Sequence, residues 1–165
     1  MTDKKDVVCT LKSTNAVYGI IGSAPATLVV RVKDEELEIY VSVPFVVDAD
    51  YINYGRVSCR VRYDNEQPTW ESLNRSSDHQ GAFFVGPLDV LDGLLTHKKM
   101  TIEIPPHDRA PVAAVFSLYG LKARIAQIES ATGLKLSNGQ KTNEQVNRPA
   151  ALPAPPIVDL GLILR

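Results

Sequence analysis

Three arginines share one side of a predicted strand, and the chain's only tryptophan follows shortly after them. The stretch RVSCRVRY places Arg56, Arg60 and Arg62 on one side of this strand and apolar side chains on the other. The guanidinium group is a planar fork that suits carboxylates, and tryptophan is a frequent anchor of protein interfaces. We therefore predict a protein-binding surface formed by Arg56, Arg60, Arg62, Trp70 and Asp64, together with the loop from Asp64 to Ser77.

The alternative is a structural role for the same side chains. Glu36 and Glu38 occupy the outward side of another predicted strand. If the two strands were neighbours, opposite charges would meet across the sheet, and each pair would add roughly 0.2–1 kcal/mol to stability. Trp70 could likewise cover the core after a turn instead of contacting a partner. The sequence leaves both interpretations open.

Carboxylates that could act as an acid–base pair lie in the polar residues after the arginine-rich strand. The candidate pairs are Asp64 with Glu66 and Glu71 with Asp78. A cleft holding two of them about 5–10 Å apart would favour a small hydrolase that acts on cell-envelope sugars. The sequence has no glycine-rich phosphate loop, no GxSxG elbow and no HExxH motif. We therefore expect a protein that is not an enzyme, with the hydrolase as a second alternative.

The histidines and cysteines do not predict a metal or cofactor site. His79, His97 and His107 lack the short spacing of metal ligands, and neither Cys9 nor Cys59 has a CxxC partner. We expect no metal and no cofactor. The two cysteines could form one disulfide in an oxidising compartment, or they could be two partly buried thiols.

Length and charge exclude several classes of protein. The 165 residues suit one domain with a real core, and 18 basic against 19 acidic residues give a net charge of -1. Nucleic-acid-binding proteins need a surplus of cations, so we expect no nucleic-acid partner. No apolar run reaches the roughly 18 residues of a membrane span. The charged start, MTDKKDVVCTLKS, predicts a cytoplasmic protein, or a periplasmic one if a signal peptide has been removed.

Alternation of apolar and polar residues predicts about six strands. A short charged link, Lys33–Glu36, predicts that the second and third of them form an antiparallel hairpin. The predicted strands are Val7–Ser13, Thr27–Val32, Glu36–Val43, Arg56–Tyr63, Lys98–Pro105 and Ala110–Gly120.

Two segments have helical spacing. PLDVLDGLLTHKK predicts a short helix or helical turn, and LKARIAQIESATG predicts an amphipathic helix over about 120–133 that ends at Gly133. Residues 137–165 are polar and then proline-rich, which predicts a flexible tail whose apolar end could add to a sheet edge or fray. The expected fold is thus a mainly β, antiparallel β-sandwich-like domain over 1–136 with one C-terminal packed helix, followed by this tail.

The order of several motifs resembles a known family. An L-x-x-R pattern at Leu28–Arg31 precedes the arginine strand and its tryptophan; Phe83–Phe84, I-E-I-P and F-S-L-Y-G-L-K-A-R-I follow. Over about residues 26–133 this order resembles the TagO or VasI family of periplasmic accessory proteins associated with type VI secretion, and similar small phage and prophage proteins. The resemblance implies a β-rich, non-enzymatic accessory factor that binds a protein. A phage-encoded protein that binds or inhibits a host factor is the alternative.

Overall fold

A computed structural model describes residues 6–19, 22–50 and 55–136, so the tail predicted at 137–165 lies outside the described residues. The described chain is mainly strand, with a helix at its C-terminal end, as the sequence predicts. Its elements are β1 (Val7–Tyr18), β2 (Ser23–Lys33), β3 (Glu36–Ser42), β4 (Arg56–Tyr63), β5 (Thr69–Arg75), β6 (Gly81–Phe83), α1 (Pro87–Thr96), β7 (Lys99–Ile104), β8 (Val112–Ser117) and α2 (Leu121–Thr132).

The strands form one antiparallel sheet in the order β1-β2-β3-β6-β5-β4-β7-β8, which curls nearly into a barrel. The predicted hairpin between β2 and β3 is confirmed, and its two turn residues, Asp34 and Glu35, both have positive φ. Such a turn matches the right-handed twist of the paired strands. Because β3 lies between β2 and β6, the structural alternative in which Glu36 and Glu38 face the arginines of β4 is wrong. Glu38 instead forms an ion pair with Arg31 of β2.

Side chains join the first and last strands of the sheet. At a bulge in β1, Asn15 Nδ2 donates to the carbonyl oxygen of Ala113 (2.8 Å), and Asn15 Oδ1 accepts from the amide of Val115 (2.9 Å). Thr14 Oγ1 also donates to the carbonyl oxygen of Val115 at 3.2 Å. No backbone ladder joins β1 to β8 here, and the Asn15 side-chain amide bonds to β8 as a peptide group of a neighbouring strand would. We call this contact between β1 and β8 the seam.

The inward side chains of the strands form one core. Ile39, Val41, Val57, Cys59 and Val61 are all buried, which confirms the predicted inward rows of β3 and β4. At one end of the barrel the two helices complete the core with residues Leu91, Leu94, Leu121, Ile125 and Ile128. The predicted stop of α2 is confirmed too: Gly133 has φ 75°, and its amide donates to the carbonyl oxygen of Glu129.

The other end of the barrel is covered by the segment Val43–Asp50, which we call the crossing segment. It runs from the end of β3 towards β4 and β7, and its amides at Val47 and Asp48 donate to the carbonyl oxygens of His79 and Pro105. Its alternate residues Phe45, Val47 and Ala49 are buried. This end of the core is therefore closed without a helix.

Two strands, β5 and β6, were not predicted from the sequence pattern. Residues 69–75 form β5, so the prediction of a continuous loop from Asp64 to Ser77 is wrong for this part. Only Leu73 is buried in β5, and β6 is three residues long, so neither strand has an apolar row of its own. The sequence therefore indicated about six strands where the described chain has eight.

Cys9 and Cys59 are both buried and free in the structure, so they do not form the disulfide that the sequence allowed. Burial raises the pKa of the Cys59 thiol to about 12. A thiol protonated at neutral pH and shielded from solvent is a small apolar core residue.

Candidate protein-binding site

The outer side of β4 is the base of an open groove of about 330 Å³. Arg56, Ser58 and Arg60 of β4 form its base, and Trp70 of β5 borders it on one side. Glu103, Pro105, Pro111 and residues 48–50 of the crossing segment border it on the other. We call this outer surface of β5, β4 and β7 the groove face.

Arg60 lies at the centre of the groove face between a carboxylate and an aromatic ring. In register it faces Trp70 on β5 and Glu103 on β7. Its Nη1 is 3.3 Å from Glu103 Oε2, and its guanidinium carbon is 5.8 Å from the centre of the Trp70 ring. The ion pair is well exposed, so it adds at most about 1 kcal/mol to stability. Arg60 thus contacts a carboxylate on one side and an aromatic ring on the other.

Arg56 and Arg62 are exposed on the same side of β4, on either side of Arg60. Neither forms an ion pair or a side-chain hydrogen bond with another residue of the described chain. Arg62 lies beyond the groove, opposite Thr101 of β7. The groove face therefore carries two arginines whose charge is not compensated by a direct contact with any residue that the structure describes.

Trp70 lies on the surface and does not cover the core. Its side chain is 72% exposed, although it is held on a paired strand beside Arg60. A large apolar ring on a rigid strand loses little conformational freedom on binding, which is the property of an interface anchor.

Asp64, the fifth predicted residue, lies apart from the groove. It follows β4 with φ 45°, and its Oδ1 accepts from the backbone amides of Lys98 (3.1 Å) and Lys99 (2.9 Å). These bonds tie the turn after β4 to the start of β7. Asp64 therefore has a structural task in the fold.

The acidic candidates for catalysis are not brought together in the groove. Asp64 precedes β5 and Asp78 follows it, so a strand of seven residues, about 20 Å long, separates the two turns. Asp78 accepts from the Ser76 hydroxyl, which is the main reason that its pKa is lowered, and from the Gln80 amide. Glu71 follows Trp70 directly and so points to the opposite side of β5. No pair of these three residues lines the groove.

His97 joins α1 to the turn after β4. Its Nδ1 is 2.8 Å from the carbonyl oxygen of Gly93, its Nε2 is 3.1 Å from Glu66 Oε1, and its ring stacks on Tyr63 with centroids 4.8 Å apart. Both nitrogens face acceptors, so the imidazolium form suits this site, and the pKa of His97 is raised, first by the Gly93 carbonyl. His107 lies near the groove, with Nδ1 3.2 Å from Asp48 Oδ1.

Sequence reasoning missed the second side of the groove. The sequence predicts a strand that ends at Val43, whereas Asp48, Ala49 and Asp50, which follow it, border the groove. A signal was present: Val43, Phe45, Val47 and Ala49 continue the alternation of β3, and alternate residues between them face outwards.

Within the described ranges, no group of three or more histidine, cysteine, aspartate or glutamate side chains could hold a metal ion. Neither helix that the structure describes is long and apolar enough to cross a membrane. No family model, curated protein or solved structure matches the chain.

Proposed function

We propose that the protein is a non-enzymatic accessory factor that binds a partner protein through the groove face. The observation that carries this proposal is the 72% exposed Trp70 beside Arg60, in an open groove on a rigid sheet. Tryptophan and arginine are the residue types that dominate the binding energy of protein interfaces.

The charges of the groove support a protein rather than a polyanion as the partner. Arg56 and Arg60 line the groove together with Asp48, Asp50 and Glu103, so both signs are present within one small surface. A nucleic acid would meet three carboxylates there, and the whole chain has a net charge of -1. A protein surface can offer matching charges of both signs.

The order of sequence motifs supports a more specific form of the proposal, an accessory factor of type VI secretion located in the periplasm. A phage-encoded protein that binds or inhibits a host factor is the alternative. The two differ in the partner that the groove face should retain: a component of a secretion apparatus, or a protein of the infected host.

A matched pair of variants tests the binding surface. In the first, Arg56, Arg60 and Arg62 are all replaced by serine. In the control, three exposed lysines outside the groove face, Lys12, Lys33 and Lys122, are replaced by serine, which removes the same charge. Each protein is immobilised as the full chain, and the retained proteins are identified by mass spectrometry.

We expect the arginine variant to lose the proteins that the wild type and the lysine variant both retain. We expect both variants to keep the fold, because among the described residues the arginine variant removes only one exposed ion pair. Circular dichroism and the thermal midpoint check this expectation. If a folded arginine variant and a Trp70→Ala variant retain the same partner as the wild type, the groove face is not the binding surface.

A further inference from the structure

One edge of β5 has no neighbouring strand over most of its length. β5 pairs with β4 from Thr69 to Asn74, but with β6 only at Asn74 and Arg75. After β6 the chain turns away, because the Phe84 amide donates to the carbonyl oxygen of Ile39 on β3. From Thr69 to Ser72 the side chains on both faces of β5 are exposed. Within the described chain, β5 therefore presents an open edge of about five residues.

The ladder shows which backbone groups of this edge are open. The amide of Asp64 donates to the carbonyl oxygen of Lys99 at 2.9 Å, which continues the pairing of β4 with β7. Even-numbered residues of β4 thus direct their backbone groups towards β7, and odd-numbered residues towards β5. In the observed register, Thr69, Glu71 and Leu73 bond to β4. The N–H and C=O groups of Trp70 and Ser72 consequently point away from the sheet.

Side chains join the outer edges of β1 and β8, the first and last strands of the sheet, whereas the edge of β5 is open within the described chain. At the seam, the Asn15 side chain occupies the backbone groups of Ala113 and Val115 that a further strand would use. An unpaired edge is a template for another strand, and soluble proteins usually protect such edges. The edge of β5 instead lies next to the exposed Trp70 of the groove face.

We propose that the open edge of β5 binds the partner by strand addition. The added strand is an extended, proline-free segment of the partner, about five residues long, with a carboxylate side chain on the groove side. This inference rests on the proposed function, because it specifies how the groove face recognises its protein partner. Backbone hydrogen bonds to Trp70 and Ser72 would hold the segment, and its side chains would give specificity.

Charge and side-chain size support the carboxylate. Ser72 of β5 and Ser58 of β4 face each other in register, and both side chains are small. At this register position no large side chain separates the open edge from β4, where Arg56 and Arg60 flank Ser58 on the base of the groove. A carboxylate opposite Ser72 could therefore approach both guanidinium groups, and Arg56 has no ion-pair partner in the described chain.

A substitution of Ser72 by proline tests the open edge without touching the ladder to β4. Proline is tolerated on an edge strand where the N–H faces solvent, and its ring would block an added strand. The matched control is Ser72→Thr, which keeps the N–H and places a similar side chain on the same face. The probes are linear nine-residue peptides without tryptophan, selected from a displayed library on the full-length protein.

Affinity is measured by the fluorescence of Trp70, the only tryptophan of the chain. We expect the selected peptides to share a proline-free centre with an aspartate or glutamate. Ser72→Pro should weaken their binding at least about tenfold, and Ser72→Thr by no more than about twofold. Peptides methylated on the central backbone nitrogens should lose affinity for the wild type by a similar factor, which is a measurement independent of any effect on folding.

Other outcomes separate the two proposals. If Ser72→Pro and methylated peptides bind like their controls while the triple arginine variant does not, strand addition is wrong and the groove face stands. If none of these changes matters, both proposals fail. Strand addition by a partner is also overturned if light scattering shows a dimer that Ser72→Pro dissociates. The same holds if a peptide of residues 157–165 binds more tightly than the selected peptides.

Discussion

The seam predicts that Asn15→Ala destabilises the fold although the residue lies near the surface. The Asn15 amide makes two hydrogen bonds to the backbone of β8, at 2.8 Å and 2.9 Å. Alanine removes both and leaves the Ala113 carbonyl and the Val115 amide without these protein partners. The tertiary contact between the first and last strands is then reduced to the Thr14 hydroxyl and side-chain packing.

The expected cost follows from the number of bonds and their exposure. A hydrogen bond contributes a net of about 0.5–1.5 kcal/mol, and bonds that water can replace lie at the lower end of this range. Two bonds at a partly exposed seam therefore give about 1–2 kcal/mol. Scaled to the residues that the structure describes, about 125 of them, this corresponds to a fall of roughly 4–8 °C in the thermal midpoint.

The assay is equilibrium unfolding in urea, followed by far-UV circular dichroism, together with thermal unfolding. Asn15→Asp keeps the acceptor for the Val115 amide but loses the donor to Ala113, so its stability should fall between those of the wild type and Asn15→Ala. Lys12→Ala, an exposed change on the same strand, is the control and should cost less than about 0.5 kcal/mol. If Asn15→Ala lowers the free energy of unfolding by less than that value, the Asn15 amide does not stabilise the fold as proposed.

Two further predictions follow from pKa values. The pKa of His97 is raised in the fold by its contacts with the Gly93 carbonyl and Glu66. The stability that these contacts add is therefore fully present below the unfolded pKa of about 6.5, and it is lost as the pH rises through the folded pKa. The stability difference between wild type and His97→Gln, measured in urea, should therefore be larger at pH 5.5 than at pH 8.5; an equal difference would contradict this. Burial raises the pKa of Cys59 to about 12, so its alkylation by iodoacetamide at pH 8 should be at least about a hundredfold slower in the native protein than in urea, and comparable rates by mass spectrometry would disprove it.

The inward rows of the fold could be read from the sequence because burial follows the period of a strand. In β4, Val57, Cys59 and Val61 alternate with polar residues, and all three are buried. Gly133 marked the end of α2 for a similarly local reason, since it ends the helix in the left-handed conformation. Such signals depend only on a few neighbouring residues.

Neighbours in the sheet could not be read in the same way. The carboxylate that pairs with Arg60 is Glu103 of β7, not Glu36 or Glu38, because the chain crosses the barrel end between β3 and β4. The sequence pattern did not predict β5, because a strand that pairs largely with one neighbour needs few apolar residues. In β5 only Leu73 is buried. The three arginines were thus correctly placed on one face of β4, but the groove around them depended on long-range pairing.

The crossing segment restricts how the groove face of this protein can change in evolution. Recognition loops commonly diverge by insertion and deletion, because core packing does not constrain their length. Here Asp48 and Asp50, which border the groove, alternate with Val47 and Ala49, which are buried. A one-residue insertion would exchange the outward and the buried residues, so related proteins with a different groove face should differ from this one by substitution in this segment and conserve its length.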